Sequence, residues 1–257
     1  MASFADLRAF AATSLARAHI ETRKTQIATL GWDIVPGTGT ARDGHAPTAQ
    51  FAERRAQAVK FFSRPDVNFS SFTSWLRALL EEVWVADALA IYLHAPQKPG
   101  CGLLGSSVAA LDILDGSRIE PIPSADGKVA GYAHHDREVP RRSLMEMTDR
   151  PLSGLPLGLY SPSQILAPVF AVRSWTLFGF SPLEQALTQR GNELDLESAE
   201  VLLPAVFGVA TPGPAGLSLD ASGTWLRRYL DWLARMLNQI LEHCGAADLR
   251  WQWEGLD

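Results

Sequence analysis

Residues 170–185 carry the most restrictive pattern in the chain: Arg173, then the aromatic corner Phe178-Gly179-Phe180, then Ser181-Pro182-Leu183-Glu184-Gln185. Glycine at position 179 permits a backbone turn that a residue with a Cβ resists. Ser181 is a favourable N-cap, and Pro182 falls at the first helical position, where a missing N–H costs nothing. Glu184 then lies in the first turn, where the positive end of the helix dipole favours an anion. The segment therefore reads as a loop that ends in a strongly specified helix start.

Around it the periodicity alternates between helix and strand. Residues 3–30 read as a helix, with Phe4, Leu7, Phe10, Ala11 and Leu15 at spacings of three and four. Residues 32–35 read as a short strand, residues 36–50 as a loop, and residues 52–62 as a second helix that Arg64-Pro65-Asp66 breaks. A third helix, capped by Ser70 or Ser71, aligns Phe72, Trp75, Leu76, Leu79, Leu80 and Val83 on one face. Residues 85–93 continue as a buried strand and residues 95–102 as a turn. Between Leu111 and Tyr132, Asp115-Gly116 and Asp126-Gly127 separate short alternating runs, which predicts hairpins in a small antiparallel sheet. Residues 134–164 show no clear element. Gly, Pro, Ala and Ser dominate residues 208–223, as in a linker. An apolar stripe from Trp225 to Leu241 then marks a long helix with Gly245 as its C′ residue, and residues 248–254 alternate as a strand. The fold class is α+β, with amphipathic helices packed on a small antiparallel sheet.

With 257 residues, 47% hydrophobic and 20% charged, the chain has the composition of an ordinary folded protein. Its eight tryptophans imply extensive aromatic packing, and its formal charge of −5 argues against a nonspecific DNA clamp. A channel that must not grip DNA is compatible with that charge. Cys101 and Cys244 lie far apart with no CxxC, which suits a reducing compartment. No apolar run approaches the ~18 residues of a membrane span, and the N-terminal residues make a poor signal or transit peptide. The expected place of synthesis is the cytoplasm.

Candidate chemistry is sparse. Ser181 lacks the second glycine of a nucleophile elbow, and the proline after it removes an oxyanion N–H. Gly37-Thr38-Gly39-Thr40 lacks the lysine of a phosphate loop. His134-His135 reads as a surface loop, Glu81-Glu82 as a solvated helix face, Arg141-Arg142 as an unspecific loop pair, and Cys101 as an unreactive thiol. The expectation is a non-enzymatic chain with no catalytic residues, cofactor or metal. The alternative class is a small soluble α+β enzyme whose site is assembled from scattered residues.

Several segments in order resemble the portal proteins of tailed bacteriophages. Arg23 to Ile27 and Leu30 to Pro36 look like the family's entry helix and first strand. Trp75 and Leu76 fall in a stretch similar to its wing helix, and Asp87 in the helix-to-strand crossing that follows. Asp115 and Gly116 match its hairpin, and Arg173, Gly179, Ser181, Pro182, Glu184 and Gln185 match the segment that closes the block. Residues 226–241, Gly245, Asp248, Trp251 and Trp253 look like its terminal helix and strand. The resemblance implies residues 1–190 as a wing-like body, residues 191–223 as a shortened linker in place of stem and clip, and residues 224–257 as a helix and strand packing back on the body. It further implies a homo-oligomeric ring, a dodecamer, at one capsid vertex of a virion, made in the bacterial host cytoplasm. Its partners would be terminase, capsid or scaffold proteins and tail adaptors, with no membrane and with duplex DNA passing through with weak or no direct binding. DNA-contacting residues are not identified. Residues 185–217 are too few for the family's stem and clip, which implies a shortened, prophage-remnant form.

Overall fold

The computed structural model describes residues 1–37, 49–126, 128–150, 152–188, 202–204, 206–208 and 220–254. It is an α+β protein whose described residues form the helices α1 (Phe4–Ala11), α2 (Ser14–Ala28), α3 (Ala49–Ser63), α4 (Phe72–Val85), α5 (Leu144–Asp149), α6 (Pro182–Thr188) and α7 (Asp220–His243). Its strands are β1 (Trp32–Pro36), β2 (Ala90–His94), β3 (Ala110–Leu114), β4 (Ile119–Pro123), β5 (Val129–His134), β6 (Gly158–Tyr160), β7 (Ile165–Leu166) and β8 (Leu249–Trp253). They form three sheets, ordered β1-β8, β3-β2-β7 and β4-β5-β6.

The chain divides into two compact units. The first comprises Met1–Thr25, Ala78–Tyr92 and Ile113–Leu226, and the second comprises Gln26–Arg77, Leu93–Asp112 and Arg227–Asp257. In the second unit β1 pairs antiparallel with β8, setting Ile34 opposite Trp251 and Trp32 opposite Trp253. Leu249, Trp251 and Trp253 are buried while Arg250 points out, the alternation of a half-buried strand. Trp251 stacks on Trp32 at 4.2 Å between ring centroids and meets Phe62 and Phe72 at 5.1 and 5.0 Å. Aromatic packing of this kind supplies much of a small unit's core. Asn238 accepts from the Trp251 N–H at 2.7 Å, and Arg54 grips Asp248 with two nitrogens at 2.7 and 2.9 Å. Gly245, at φ 69°, ends α7 in a left-handed turn. There the N–H of Ala246 reaches the Leu241 carbonyl and that of Gly245 the Glu242 carbonyl, satisfying carbonyls the helix end would otherwise orphan.

The first unit departs from the sequence reading in several places. The helix expected over residues 3–30 is two helices. The Ala12 N–H reaches back to Arg8 and Ala9 and that of Thr13 to Phe10, tightening and ending α1 before α2 begins. The strand expected over residues 85–93 begins only at Ala90, because α4 runs to Val85 and Asp87 turns the chain at φ 46°. Asp115-Gly116 is not a hairpin turn. It opens a short 3-10 turn, Gly116–Arg118, that carries the chain from one sheet to another, since β3 pairs with β2 and β4 with β5. Asp126 does sit in the β4–β5 hairpin, closed by the Ser124 N–H on the Lys128 carbonyl at 2.7 Å; Gly127 lies outside the described residues. Within residues 134–164, where no element was clear, lie α5 and β6. A capping box at Ser143 and Glu146 starts α5, a local signal present in the sequence. The long helix begins at Asp220, inside the stretch read as linker; residues 209–219 of that stretch, and 38–48 of the earlier loop, lie outside the described residues.

Candidate functional site

Most of the residues singled out between 170 and 185 converge, with Asp87 and Arg141, on one buried polar network in the first unit. Its centre is Asp87, 1% exposed and held in the left-handed region just beyond α4, a conformation aspartate tolerates better than most residues. The carboxylate accepts N–H groups from Phe170, Ala171 and Phe180 at 2.9, 2.8 and 3.1 Å. The Gly179 N–H reaches the Asp87 carbonyl at 3.2 Å. One side chain thus ties both ends of the 170–180 loop to the end of α4.

Gly179 is glycine for a reason other than a turn. Its φ lies outside the left-handed region; instead, a Cβ there would sit 2.0 Å from Oδ2 of Asp87. Gly116 is confined in the same way, since a Cβ would meet the Ala88 carbonyl oxygen. Asp115 accepts from the Ser117 N–H and hydroxyl and from Arg8.

Ser181 caps α6: its hydroxyl accepts the Glu184 N–H at 3.1 Å and donates to the Val85 carbonyl at 2.8 Å. Gln185 donates to the Phe180 carbonyl at 2.8 Å, holding the corner against the helix that Pro182 begins. Glu184 is fully buried and bridges two guanidinium groups, Arg141 at 2.7 Å and Arg173 at 2.9 Å. Arg173 also lies over the Phe180 ring at 3.8 Å, and Arg141 over Phe4 at 5.3 Å while donating to the Gly179 carbonyl. Trp75 and Leu76, buried in α4, take no part in this network.

Three sets of charged residues that look bland in the sequence have buried or paired roles. Arg141-Arg142 is not an unspecific loop pair: Arg141 neutralises Glu184, and Arg142 pairs with Glu120, a fully buried carboxylate on β4. His135 is not on a surface loop but 4% exposed, its Nε2 2.8 Å from Glu120. Glu81-Glu82 is not a solvated face. Glu81 takes both oxygens to Arg17 at 2.8 and 2.9 Å and pairs with Lys24, while Glu82 is half-buried beside Arg8. Sequence reasoning missed these pairs because their members are far apart in the chain.

Burial sets the electrostatics. Desolvation pushes the Asp87 carboxyl up to about 6, and the three N–H donors hold it from rising further. Burial likewise lifts Glu82 to about 7, with Arg8 opposing. The Arg141 guanidinium is lowered by burial and partly restored by Glu184.

Beside the network lies a cavity of about 320 Å³, walled by apolar side chains including Leu89, Ile119, Pro121, Tyr132, Val169 and Phe178. Asp87 and Arg173 edge it, but both are engaged in the network described above. Among the described residues no three His, Cys, Asp or Glu side chains are grouped to hold a metal ion, and no helix is long and apolar enough to cross a membrane. What the arrangement does chemically is hold loops and helix ends in place.

Neither a protein-family model nor a curated protein matches the chain. Solved structures do share its fold. A chain in the neck of an empty gene transfer agent particle, computed with C6 symmetry, is 12% identical with a TM-score of 0.58 over 95% of this chain and 82% of that one. A chain in the neck of the native particle, computed with C12 symmetry, is 12% identical with a TM-score of 0.57 over 95% and 81%. A chain in the virion of the native gene transfer agent particle is 10% identical with a TM-score of 0.55 over 99% and 84%.

Proposed function

We propose that this chain is a structural subunit of the ring at the head–tail vertex of a phage-like particle, a portal-type protein through which DNA is packaged and ejected. The observation that carries this reading is the fold likeness to particle-neck chains, one from a neck computed with C12 symmetry, over 95% of this chain. The portal-like segment supports it independently: Arg173, Gly179, Ser181, Glu184 and Gln185 all serve one buried network together with Asp87. Residues given over to scaffolding suit a protein whose task is to be a rigid ring component. The partners of this reading are further copies of the chain, a terminase, capsid or scaffold proteins and tail adaptors, in a virion assembled in the bacterial cytoplasm. The net charge of −5 suits a wall along which duplex DNA slides with weak or no direct binding. Residues 1–190 form the body in this proposal, residues 191–223 a shortened link in place of stem and clip, and residues 224–257 the returning helix and strand.

Size-exclusion chromatography with light scattering, followed by electron microscopy, tests it. The expected result is a closed ring of many copies. A monodisperse monomer at high protein concentration and low salt overturns it.

A further inference from the structure

The first unit carries two separate apolar features. Leu155, Leu157 and Leu159 are 95%, 71% and 63% exposed, in a run from Leu152 to Tyr160 without a charged residue. Largely exposed leucines spaced two apart, in the loop that leads into the edge strand β6, are unusual and leave a row of apolar surface in water. The run is not loose at its base. The fully buried Glu120 accepts the Ser153 N–H at 2.9 Å and the Ser153 hydroxyl at 2.5 Å, and is itself held by Arg142 and His135. A buried carboxylate with this many partners fixes the loop's root, so the leucines are presented in a preorganised position.

The second feature is the apolar cavity. Its wall includes Ile119, Pro121 and Tyr132, which share one face of the β4-β5-β6 sheet, since Pro121 pairs with Tyr132 and Tyr132 with Tyr160. Glu120, Ala133 and Leu159 are in register on the opposite face. Its mouth includes Val172, 80% exposed, and the exposed Ser174. An apolar cavity of about 150 Å³ admits a benzene-sized group; this one is about 320 Å³, room for two leucine-sized side chains.

Resting on the ring reading above, we propose that the leucine loop of one copy of this chain inserts Leu155 and Leu157 into the apolar cavity of the next copy. Leu159, where the run enters β6, is on the sheet face opposite the cavity wall, and neither Leu155 nor Leu157 lines the cavity of its own chain, so knob and hole are separate features that meet between chains. A knob and a hole at different places on the same molecule make a head-to-tail contact, the kind that closes into a ring. A self-matching patch would instead stop at a dimer.

Two variants test this. Leu155→Asp with Leu157→Asp spoils the knob, and Val172→Asp spoils the mouth. All three positions are at least 71% exposed, so both proteins fold, which circular dichroism checks. By light scattering each variant alone falls from ring to single chain. An equimolar mixture gives a one-to-one dimer and nothing larger, because only one knob and one hole remain competent between them. If the wild type forms rings and either variant does too, this contact is wrong while the ring reading stands. A mixture that stays monomeric also overturns it. A wild type that is monomeric throughout overturns both.

Discussion

Replacing Gly179 by alanine probes the network at its tightest point. The added Cβ would lie 2.0 Å from Oδ2, 2.1 Å from Cγ and 2.7 Å from Cβ of Asp87. Ordinary contact begins near 3.4 Å, so the carboxylate must retreat by more than an ångström. Asp87 has little freedom to do so, because its backbone sits at φ 46° and its oxygens hold three N–H groups at 2.8–3.1 Å. Hydrogen bonds to a charged group contribute about 1.5–3 kcal/mol each. Losing two of the three gives a destabilisation of roughly 4 kcal/mol, a large share of the 5–15 kcal/mol typical of a folded domain. Urea unfolding followed by tryptophan fluorescence reads it as a shift in midpoint. The decisive form is a double-mutant cycle with Asp87→Gly, which removes the clashing atoms and suits the left-handed backbone. In that background Gly179→Ala is expected to cost less than about 1 kcal/mol, leaving a coupling of roughly 3 kcal/mol. An equal cost in both backgrounds refutes the clash as the cause, and a Gly179→Ala protein within about 1 kcal/mol of wild type refutes the network's importance.

Glu184→Gln removes the charge that bridges Arg141 and Arg173 and leaves both guanidinium groups facing a neutral amide in a buried site. A loss of about 3–5 kcal/mol is expected by urea unfolding, and a loss under about 1 kcal/mol sinks the bridging role. Stability should also depend on pH in a definite sense. Asp87 and Glu82 titrate near 6 and 7 in the folded chain against 3.8 and 4.5 ordinarily, so between those values the folded form binds more protons than the unfolded. Their contribution is therefore fully present below about pH 4 and lost as pH rises to about 7. At about 1.4 kcal/mol per unit, Asp87 is worth at most about 3 kcal/mol and Glu82 at most about 3.5 kcal/mol. Glu82→Gln is expected to gain stability relative to wild type between pH 5 and pH 7.5; parallel pH profiles for the two proteins contradict the assignment.

The elements legible in the sequence are those whose cause is local. Ser181-Pro182 announces a helix start because the cap and the proline act within one turn, and the alternation of Leu249, Trp251 and Trp253 announces a half-buried strand for the same reason. Asp115-Gly116 misled because the same dipeptide serves a hairpin or a sheet-changing 3-10 turn, and only the partners of β3 and β4 decide which.

The candidate site was half legible, and the division follows sequence distance. Arg173, Gly179, Ser181, Glu184 and Gln185 fall within one short segment, so their pattern could be noticed, and Asp87 entered only through its place in the portal-like order. Beyond the Ser181 cap, the roles that tie the site together could not be read there: Asp87 acts on residues 83 to 93 positions away, and Arg141 on a glutamate 43 positions away. Charged residues in loops look bland when their partners are distant, which is why Arg141, Arg142 and His135 passed as surface groups. A buried carboxylate needs a cation or several N–H donors, since desolvating it alone is too costly. Glu120, Glu184 and Asp87 each meet that requirement from a different element. These three groups mark where loops are pinned to helices and strands. The leucine run at residues 155–159, rooted on Glu120, is thus an apolar projection on a fixed base, as a docking knob requires.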